Sequence, residues 1–376
     1  MDMHDVESVL NGLRRYPDAE APNLFASDAA DRLILDTAAD ALAEVGGRDA
    51  VVIGDRYGAL TLGAAAIVKT NDIRVHQDPI TGEIALGRNA SALGMADTYR
   101  NLPLGSDLLN GARLVVMQLP RSLAELTEIA ENIAAFAAPD VRVFAGGRDK
   151  HMTPAMNGVL GASFDSVIAG RGRQKSRVIT ASTPIRRAPE SYPVSERLDD
   201  VGLTVVAHGA VFAGAKLDIG TRFLASFLPE MNPDARDIVD LGCGTGILAC
   251  LLARDRMAAR VVATDRSAAA TASAAATAAA NGLDLSVIRD DAMSTFDSAS
   301  VDLIVCNPPF HEGASLHTGS AEKLFAASGR VLRPGGELWT VYNSHLNYRG
   351  ELRAAVGPTE TVGKNAKFTV TRSTIG

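Results

Sequence analysis

Short apolar runs alternate along the chain with longer stretches whose apolar residues recur at helical spacing. Residues 27–45, SDAADRLILDTAADALAEV, show that spacing behind Ser27 or Asp28 as N-cap, and Gly46 and Gly47 end the predicted helix. The run 50–53 predicts a strand, followed by Gly54-Asp55-Arg56-Tyr57-Gly58 and an apolar helix to about residue 68. Further strands are predicted over 73–76, 113–118 and 141–145, with helices over 82–95 and 121–138. Strands alternating with helices of this length predict an α/β fold, a mostly parallel sheet flanked by helices on both faces.

The second half repeats the layout. Strand 236–241 leads into a glycine turn and a helix to about residue 254. Strand 260–264 ends at Thr264-Asp265, and the alanine-rich helix 267–280 stops at Asn281-Gly282. Strand 301–306 runs into Asn307-Pro308-Pro309-Phe310; helix 320–331, the turn Arg333-Pro334-Gly335-Gly336 and strand 337–343 follow. Gly54 stands 24 residues before Asp78 and 64 before Gln118, while Gly242 stands 23 before Asp265 and 65 before Asn307. Agreement over two intervals implies duplication of one α/β domain, with boundaries at 1–195 and 196–376. The first copy has Gly-Asp-Arg-Tyr-Gly where the second has Gly-Cys-Gly-Thr-Gly, and Arg56 and Tyr57 are expected to fill the ligand space. It also has Gln118-Leu119-Pro120-Arg121 for Asn-Pro-Pro-Phe, so the first copy is expected to be disabled.

Composition narrows the class. A chain of 376 residues has room for two cores, and 47% hydrophobic with 22% charged residues is an ordinary globular balance. The acidic N-terminus lacks the apolar core of a signal peptide, and no apolar run reaches membrane-spanning length. Cys243, Cys250 and Cys306 are odd in number without CxxC spacing, so small buried residues are expected rather than a disulfide or metal site. A cytoplasmic monomer with no metal and no membrane partner is the expectation. A net charge of −7 does not announce a nucleic-acid binder. One strip departs from that balance: Arg171, Arg173, Lys175, Arg177, Arg186 and Arg187, with no acid among them. It reads either as a solvated loop or edge strand, or as a phosphate-contacting surface.

The turn at 242–246 is the first place to look for chemistry. Gly242, Gly244 and Gly246 let the backbone bend sharply and approach a ligand, and the helix beyond presents free N–H groups. A dinucleotide fingerprint would need glycine at 247, where Ile247 stands. Asp265 at the end of the next strand suits two ribose hydroxyls, or alternatively caps the alanine-rich helix. Asp240 beside the turn suits a cationic amino group, as in S-adenosylmethionine. Asp290 and Asp291 are candidates for an adenine amino group, Asp291 the better one.

Asn307-Pro308-Pro309-Phe310 carries the most information. Two prolines stop the strand and fix a rigid turn at its carboxyl end, where α/β sheets bind ligands. The Asn307 side-chain oxygen and the Pro308 carbonyl make two acceptors for an exocyclic NH2 group, and Phe310 offers a face for a stacked base.

These motifs resemble the class I S-adenosylmethionine-dependent methyltransferases that act on planar amino nitrogens. More narrowly, the chain resembles the bacterial ribosomal RNA guanine-N2 methyltransferases built from two tandem domains. Val211-Phe212, the segment 216–223 (KLDIGTRF), 240–247, 306–311, 343–348 and 364–368 carry the likeness in the second half. In the first half 28–33 and 57–60 fit a degenerate domain. The large-subunit (23S) type is the better match than the small-subunit (16S) type, on Leu-Asp-Ile-Gly, Asp-Leu-Gly-Cys-Gly and the C-terminal segments.

The resemblance implies two tandem Rossmann-like class I methyltransferase domains, the N-terminal one degenerate and holding RNA. It implies S-adenosyl-L-methionine as cofactor, bound by Asp240, Gly242, Cys243, Gly244, Gly246, Asp265, Arg266, Asp291 and Asn307. Catalysis would fall to Asn307, Pro308 and Phe310 acting on a flipped base. Substrate contacts would come from Pro309, Phe310 and His311, with Arg171, Arg173 and Lys175 on ribosomal RNA. Alternatives are a 16S substrate, adenine N6, a protein glutamine, or a non-catalytic RNA-binding assembly factor.

Overall fold

The computed structural model describes residues 5–68, 71–308 and 318–376, the side chains of 318–320 excepted. The chain divides into two compact units, Met1–Tyr192 and Pro193–Gly376.

In the first unit the strands are β1 (Ala50–Ile53), β2 (Ile73–His76), β3 (Tyr99–Asn101), β4 (Leu114–Gln118), β5 (Arg142–Arg148), β6 (Phe164–Ala169) and β7 (Ser176–Pro184). They form one sheet in the order β3-β2-β1-β4-β5-β7-β6. The first five run parallel, and β7 is antiparallel to both β5 and β6. Central β1 is apolar at every position because both faces are covered. Val52 enters a core with Leu35 and Leu60, whereas Val51 and Ile53 enter the opposite one with Leu126 and Ile133.

The second unit opens with an antiparallel ribbon, β8 (Val194–Leu198) and β9 (Leu203–Ala207). Its main sheet holds β10 (Asp237–Leu241), β11 (Arg260–Asp265), β12 (Ser286–Arg289), β13 (Val301–Cys306), β14 (Leu332–Asn343), β15 (Thr359–Lys364) and β16 (Phe368–Thr374). The order is β12-β11-β10-β13-β14-β16-β15, the same permutation as in the first unit. The repeat seen in the sequence is a repeat of topology.

The alanine-rich helix Ala268–Ala280 has a specific job. Ser273, Thr277 and Asn281 recur every four residues and form a polar stripe on its face. The N–H groups of Thr204, Val206 and His208 donate to Asn281 Oδ1, Thr277 Oγ1 and Ser273 Oγ at 2.9–3.0 Å. Asn281 Nδ2 and Thr277 Oγ1 return hydrogen bonds to the Thr204 and Val206 carbonyls. Alanine elsewhere on the helix keeps its surface low enough for a backbone to lie against it.

Strands over 50–53, 73–76 and 301–306 stand where the apolar runs predict them. The turn expected at 333–336 is instead a bulge inside β14, where pairing with β13 jumps from Leu332 to Glu337 and Gly335 takes φ +78°. Strands β3, β6, β8, β15 and β16 carry no run long or apolar enough to stand out. Among the described residues, no helix is long and apolar enough to cross a membrane.

Candidate active site

Parallel pairing fixes the site. β10 lies between β11 and β13, with Leu241 opposite Thr264 on one side and Cys306 on the other. Gly242, Asp265 and Asn307 therefore leave the sheet side by side at its carboxyl edge. The turn is tied down by its own amides: Gly242 and Cys243 N–H donate to the Thr264 carbonyl at 2.8 and 3.1 Å. Gly242, Gly244 and Gly246 all have left-handed φ, +75°, +53° and +75°. Their surroundings separate them. A Cβ at Gly242 or Gly244 would meet no atom within 4 Å, whereas one at Gly246 would lie 2.8 Å from Ala274 Cβ. Gly246 is required for helix packing; Gly242 and Gly244 leave a cradle open. That open cradle and the acid beside it fit the S-adenosylmethionine expected from the sequence.

Asp265 Oδ2 accepts from Gly244 N–H at 3.1 Å and Oδ1 from Ser267 N–H at 3.0 Å, which orients the carboxylate at the mouth of the cradle. Arg266 follows, half-buried. Asp290 does not face a ligand. It accepts from Asp291 N–H, Ser294 Oγ, Thr295 N–H and Thr295 Oγ1. Burial opposes its charge, yet those hydrogen bonds hold its carboxyl below the usual range. It organises a loop in which Ala292 and Met293 take positive φ. Asp291 is left as the adenine candidate, with Oδ2 paired to Lys323 Nζ.

Asp240 departs from the expected ligand contact. It is 1% exposed and points into the face covered by helix Ile247–Asp255, where Oδ2 accepts from Ala249 N–H at 3.0 Å. Burial pushes its carboxyl up to about 7. It fastens the helix that carries the turn. Burial likewise pushes the Cys243 and Cys306 thiols up, so neither is a thiolate nucleophile.

Asn307 closes the site. Its Nδ2 donates to Asp218 Oδ2 at 3.1 Å and to Thr221 Oγ1 at 2.8 Å. Its Oδ1 is buried without a hydrogen-bond partner among the described residues. Pro308 is buried behind it. Pro309, Phe310 and His311 lie outside the described residues. Asp218 and Thr221 were not anticipated as site residues, although a signal existed. Asp218 stands 89 residues before Asn307, as its first-unit counterpart Asp28 stands 90 before Gln118.

The first unit differs from the second at the equivalent positions. Its register puts Gln77, not Asp78, at the Asp265 position, since Ile53 pairs with His76 as Leu241 does with Thr264. Gln77 is buried and donates to the Gly82 carbonyl at 3.2 Å. Arg56, expected to fill the cradle, is exposed. Asp55, at the Cys243 position, is fully buried and accepts from Gly58 and Thr61 N–H at 3.0 and 2.7 Å. Tyr57 is buried, its hydroxyl donating to Asp18.

The basic strip is divided. Arg171, Arg173, Lys175 and Arg177 surround the β6–β7 hairpin tip and are exposed. Arg173 pairs with Asp36, and Arg177 stands 3.7 Å from Asp149. Arg186 and Arg187 do not join them. They donate to chain carbonyls of Ala135, Ala137 and Ala162.

Comparison with known proteins agrees with this division. The family described as "Methyltransferase small domain" matches residues 202–372, and "RLMG N-terminal domain" matches 3–184. Proteins named ribosomal RNA large subunit methyltransferase G are similar along their length. The one from Shewanella amazonensis is 32% identical, over 95% of this chain and 94% of its own. That from Ectopseudomonas mendocina is 33% identical over 96% of each, and that from Streptomyces avermitilis 32% over 96% of each. A solved T. thermophilus 16S rRNA N2 G1207 methyltransferase, in complex with AdoMet and guanosine, shares the fold. Its TM-score is 0.71 at 23% identity, covering 95% of this chain and 97% of that one.

Proposed function

The chain belongs to the ribosomal RNA large subunit methyltransferase G family, and on that premise we propose that it methylates the exocyclic N2 of a guanine in 23S ribosomal RNA. The second unit is the catalytic one; the first holds substrate. The observation that carries this reading is the buried Asn307 Oδ1, without a partner among the described residues, beside an open glycine cradle. A buried acceptor without a donor is costly in a folded protein, by about 1–3 kcal/mol, unless a ligand supplies one.

S-adenosylmethionine, when bound, supplies an electrophilic methyl group. Gly242 and Gly244 give it room, Asp265 takes the ribose hydroxyls and Asp291 the adenine amino group. Cys243 and Arg266 border this pocket in sequence. Asn307 Oδ1 and the Pro308 carbonyl accept the two N2 hydrogens, which directs the nitrogen lone pair toward the methyl carbon. Transfer of that methyl group would leave N2 with one proton too many; the two amide oxygens hold the N2 hydrogens but are not bases, so the proton would be released to solvent. Phe310 as stacking face, with Pro309 and His311, completes the proposed set of base contacts; all three lie outside the described residues. Most of the rate then comes from positioning.

Arg171, Arg173 and Lys175 are the proposed RNA contacts on the first unit. The protein is read as a cytoplasmic monomer, working where ribosomal RNA is found. The test is methyl transfer from labelled S-adenosylmethionine to separated ribosomal RNAs, wild type beside Asn307→Ala, with digestion to nucleosides. Label in N2-methylguanosine from 23S RNA, absent in the variant, is expected. Label confined to 16S RNA, or no label with cofactor still bound, would overturn the substrate.

A further inference from the structure

The Asn307 amide has two faces of opposite character, and only one is useful to an amino substrate. An NH2 group bound for methylation offers donors, so the amide must present its oxygen. Turned over, it would present two more donors and repel the substrate.

We propose that Asp218 and Thr221 are positioning residues that lock this choice, a proposal that rests on the function read above. Asp218 Oδ2 accepts from Gly220 N–H at 2.9 Å, Thr221 N–H at 3.1 Å and Asn307 Nδ2 at 3.1 Å. One oxygen thus caps helix Ile219–Ala225 and grips the amide. A flipped Asn307 would set its Oδ1 against this carboxylate, acceptor facing acceptor, and would forfeit the hydrogen bond. The Thr221 hydroxyl takes the second Nδ2 hydrogen at 2.8 Å. With both hydrogens engaged, Oδ1 is the remaining polar group of the side chain, and it is the one left unpartnered. The negative charge on Asp218 also polarises the amide and strengthens Oδ1 as an acceptor.

The close approach is built into the backbone. A Cβ at Gly220 would lie 3.0 Å from Asp218 Oδ2, 3.3 Å from Phe368 Cε1 and 3.5 Å from Asn307 Nδ2. A larger residue would prise the helix turn from the strand end. In the first unit the same joint survives in another form: Gln118 Nε2 donates to Asp31, which stands at the Thr221 position and whose Oδ2 accepts from Asp28 N–H at 2.8 Å. A link between strand and helix turn is therefore common to both copies. The second copy replaces the acid by threonine, an acceptor that adds no second charge beside Asp218.

A purely structural joint and a positioning one differ in what they change. The full chain is compared as wild type, Thr221→Val, Thr221→Ser and Asp218→Ser, the serine at 218 keeping a helix cap. Measured are single-turnover methyl transfer, KM for RNA, cofactor affinity by calorimetry, and side-chain amide hydrogen exchange of Asn307 in the ligand-free protein by NMR. Thr221→Val should slow transfer about tenfold and Asp218→Ser about 100-fold, with RNA KM and cofactor Kd within roughly twofold. Thr221→Ser should restore the rate, and Asn307 amide exchange should quicken in the slow variants alone. An active wild type with unchanged transfer in Thr221→Val overturns the proposal, as does an unchanged Asn307 exchange. If wild type methylates no ribosomal RNA, the functional reading falls, and the clamp is judged by exchange: protection kept in Thr221→Val overturns it, protection lost supports it.

Discussion

The N–H of Ala249 donates to the buried Oδ2 of Asp240, and the equivalent N–H in the first unit, that of Thr61, donates to Asp55. The same helix position is thus fastened by a carboxylate in both copies, from the strand in one and from the turn in the other. With the acid moved into the turn, the helix of the first copy stays anchored.

This bond has a pH signature. Burial raises the Asp240 carboxyl to about 7, whereas an unfolded Asp ionises near 3.9, so between these values the native chain holds a proton the unfolded chain has lost. Stability contributed at this site therefore falls as pH rises from about 4 to 7, by on the order of 1.4 kcal/mol per pH unit, and levels off above. Asp240→Asn keeps an acceptor for Ala249 and removes the titration. Thermal melts should show the variant gaining on wild type between pH 5 and pH 8; a constant difference would refute the assignment.

Gly244 and Gly246 should fail differently. Gly244→Ala places a methyl in the open cradle at a cost of about 1–2 kcal/mol in backbone strain, with cofactor affinity reduced at least about tenfold. Gly246→Ala adds a collision with Ala274 and should lose a further 1–3 kcal/mol or so of stability. Calorimetric titration beside thermal denaturation separates them, and equal stability losses would show that the packing distinction is wrong.

Neutralising Arg171 and Lys175 together should raise KM for RNA and lower the salt dependence of binding by about 1.4–1.8 units, with cofactor affinity unchanged. Arg186→Gln should behave otherwise. It removes the donors to the Ala135 and Ala137 carbonyls and should lower the melting temperature while leaving the salt slope alone. Binding isotherms across a salt series decide between these roles.

Thr277→Val is nearly isosteric and deletes the hydroxyl that serves both the N–H and the carbonyl of Val206. The expected loss is about 1–3 kcal/mol, together with faster proteolysis within the β8–β9 ribbon. A melting curve matching wild type would mean that the stripe contributes nothing.

Much of the architecture could be read from the residues because buried parallel strands leave continuous apolar runs. Ala50–Ile53, Ile73–His76 and Val301–Cys306 were visible for that reason. Asn307, Asp265 and the glycine turn were visible because strand ends, prolines and glycines punctuate the chain. The inversion at Asp240 was not, since a strand acid beside a turn looks the same whether it faces a ligand or a helix N–H. Nor was the division of the basic strip, because an arginine that caps carbonyls and one that meets solvent have the same letter. The register that makes Gln77 the equivalent of Asp265 emerged only from strand pairing, as the sequence intervals differ by one residue.

The stripe of Ser273, Thr277 and Asn281 gives β9 hydrogen-bonding partners on a side where, among the described residues, no further strand pairs with it. Helical side chains stand in for a neighbouring strand, donor for donor and acceptor for acceptor. An unpaired strand edge invites the edges of other molecules, and proteins that leave one bare are prone to join into ribbons and aggregates. The alanine-rich helix therefore does for solubility what a charged or proline-bearing edge does elsewhere: it keeps a short ribbon from recruiting copies of itself.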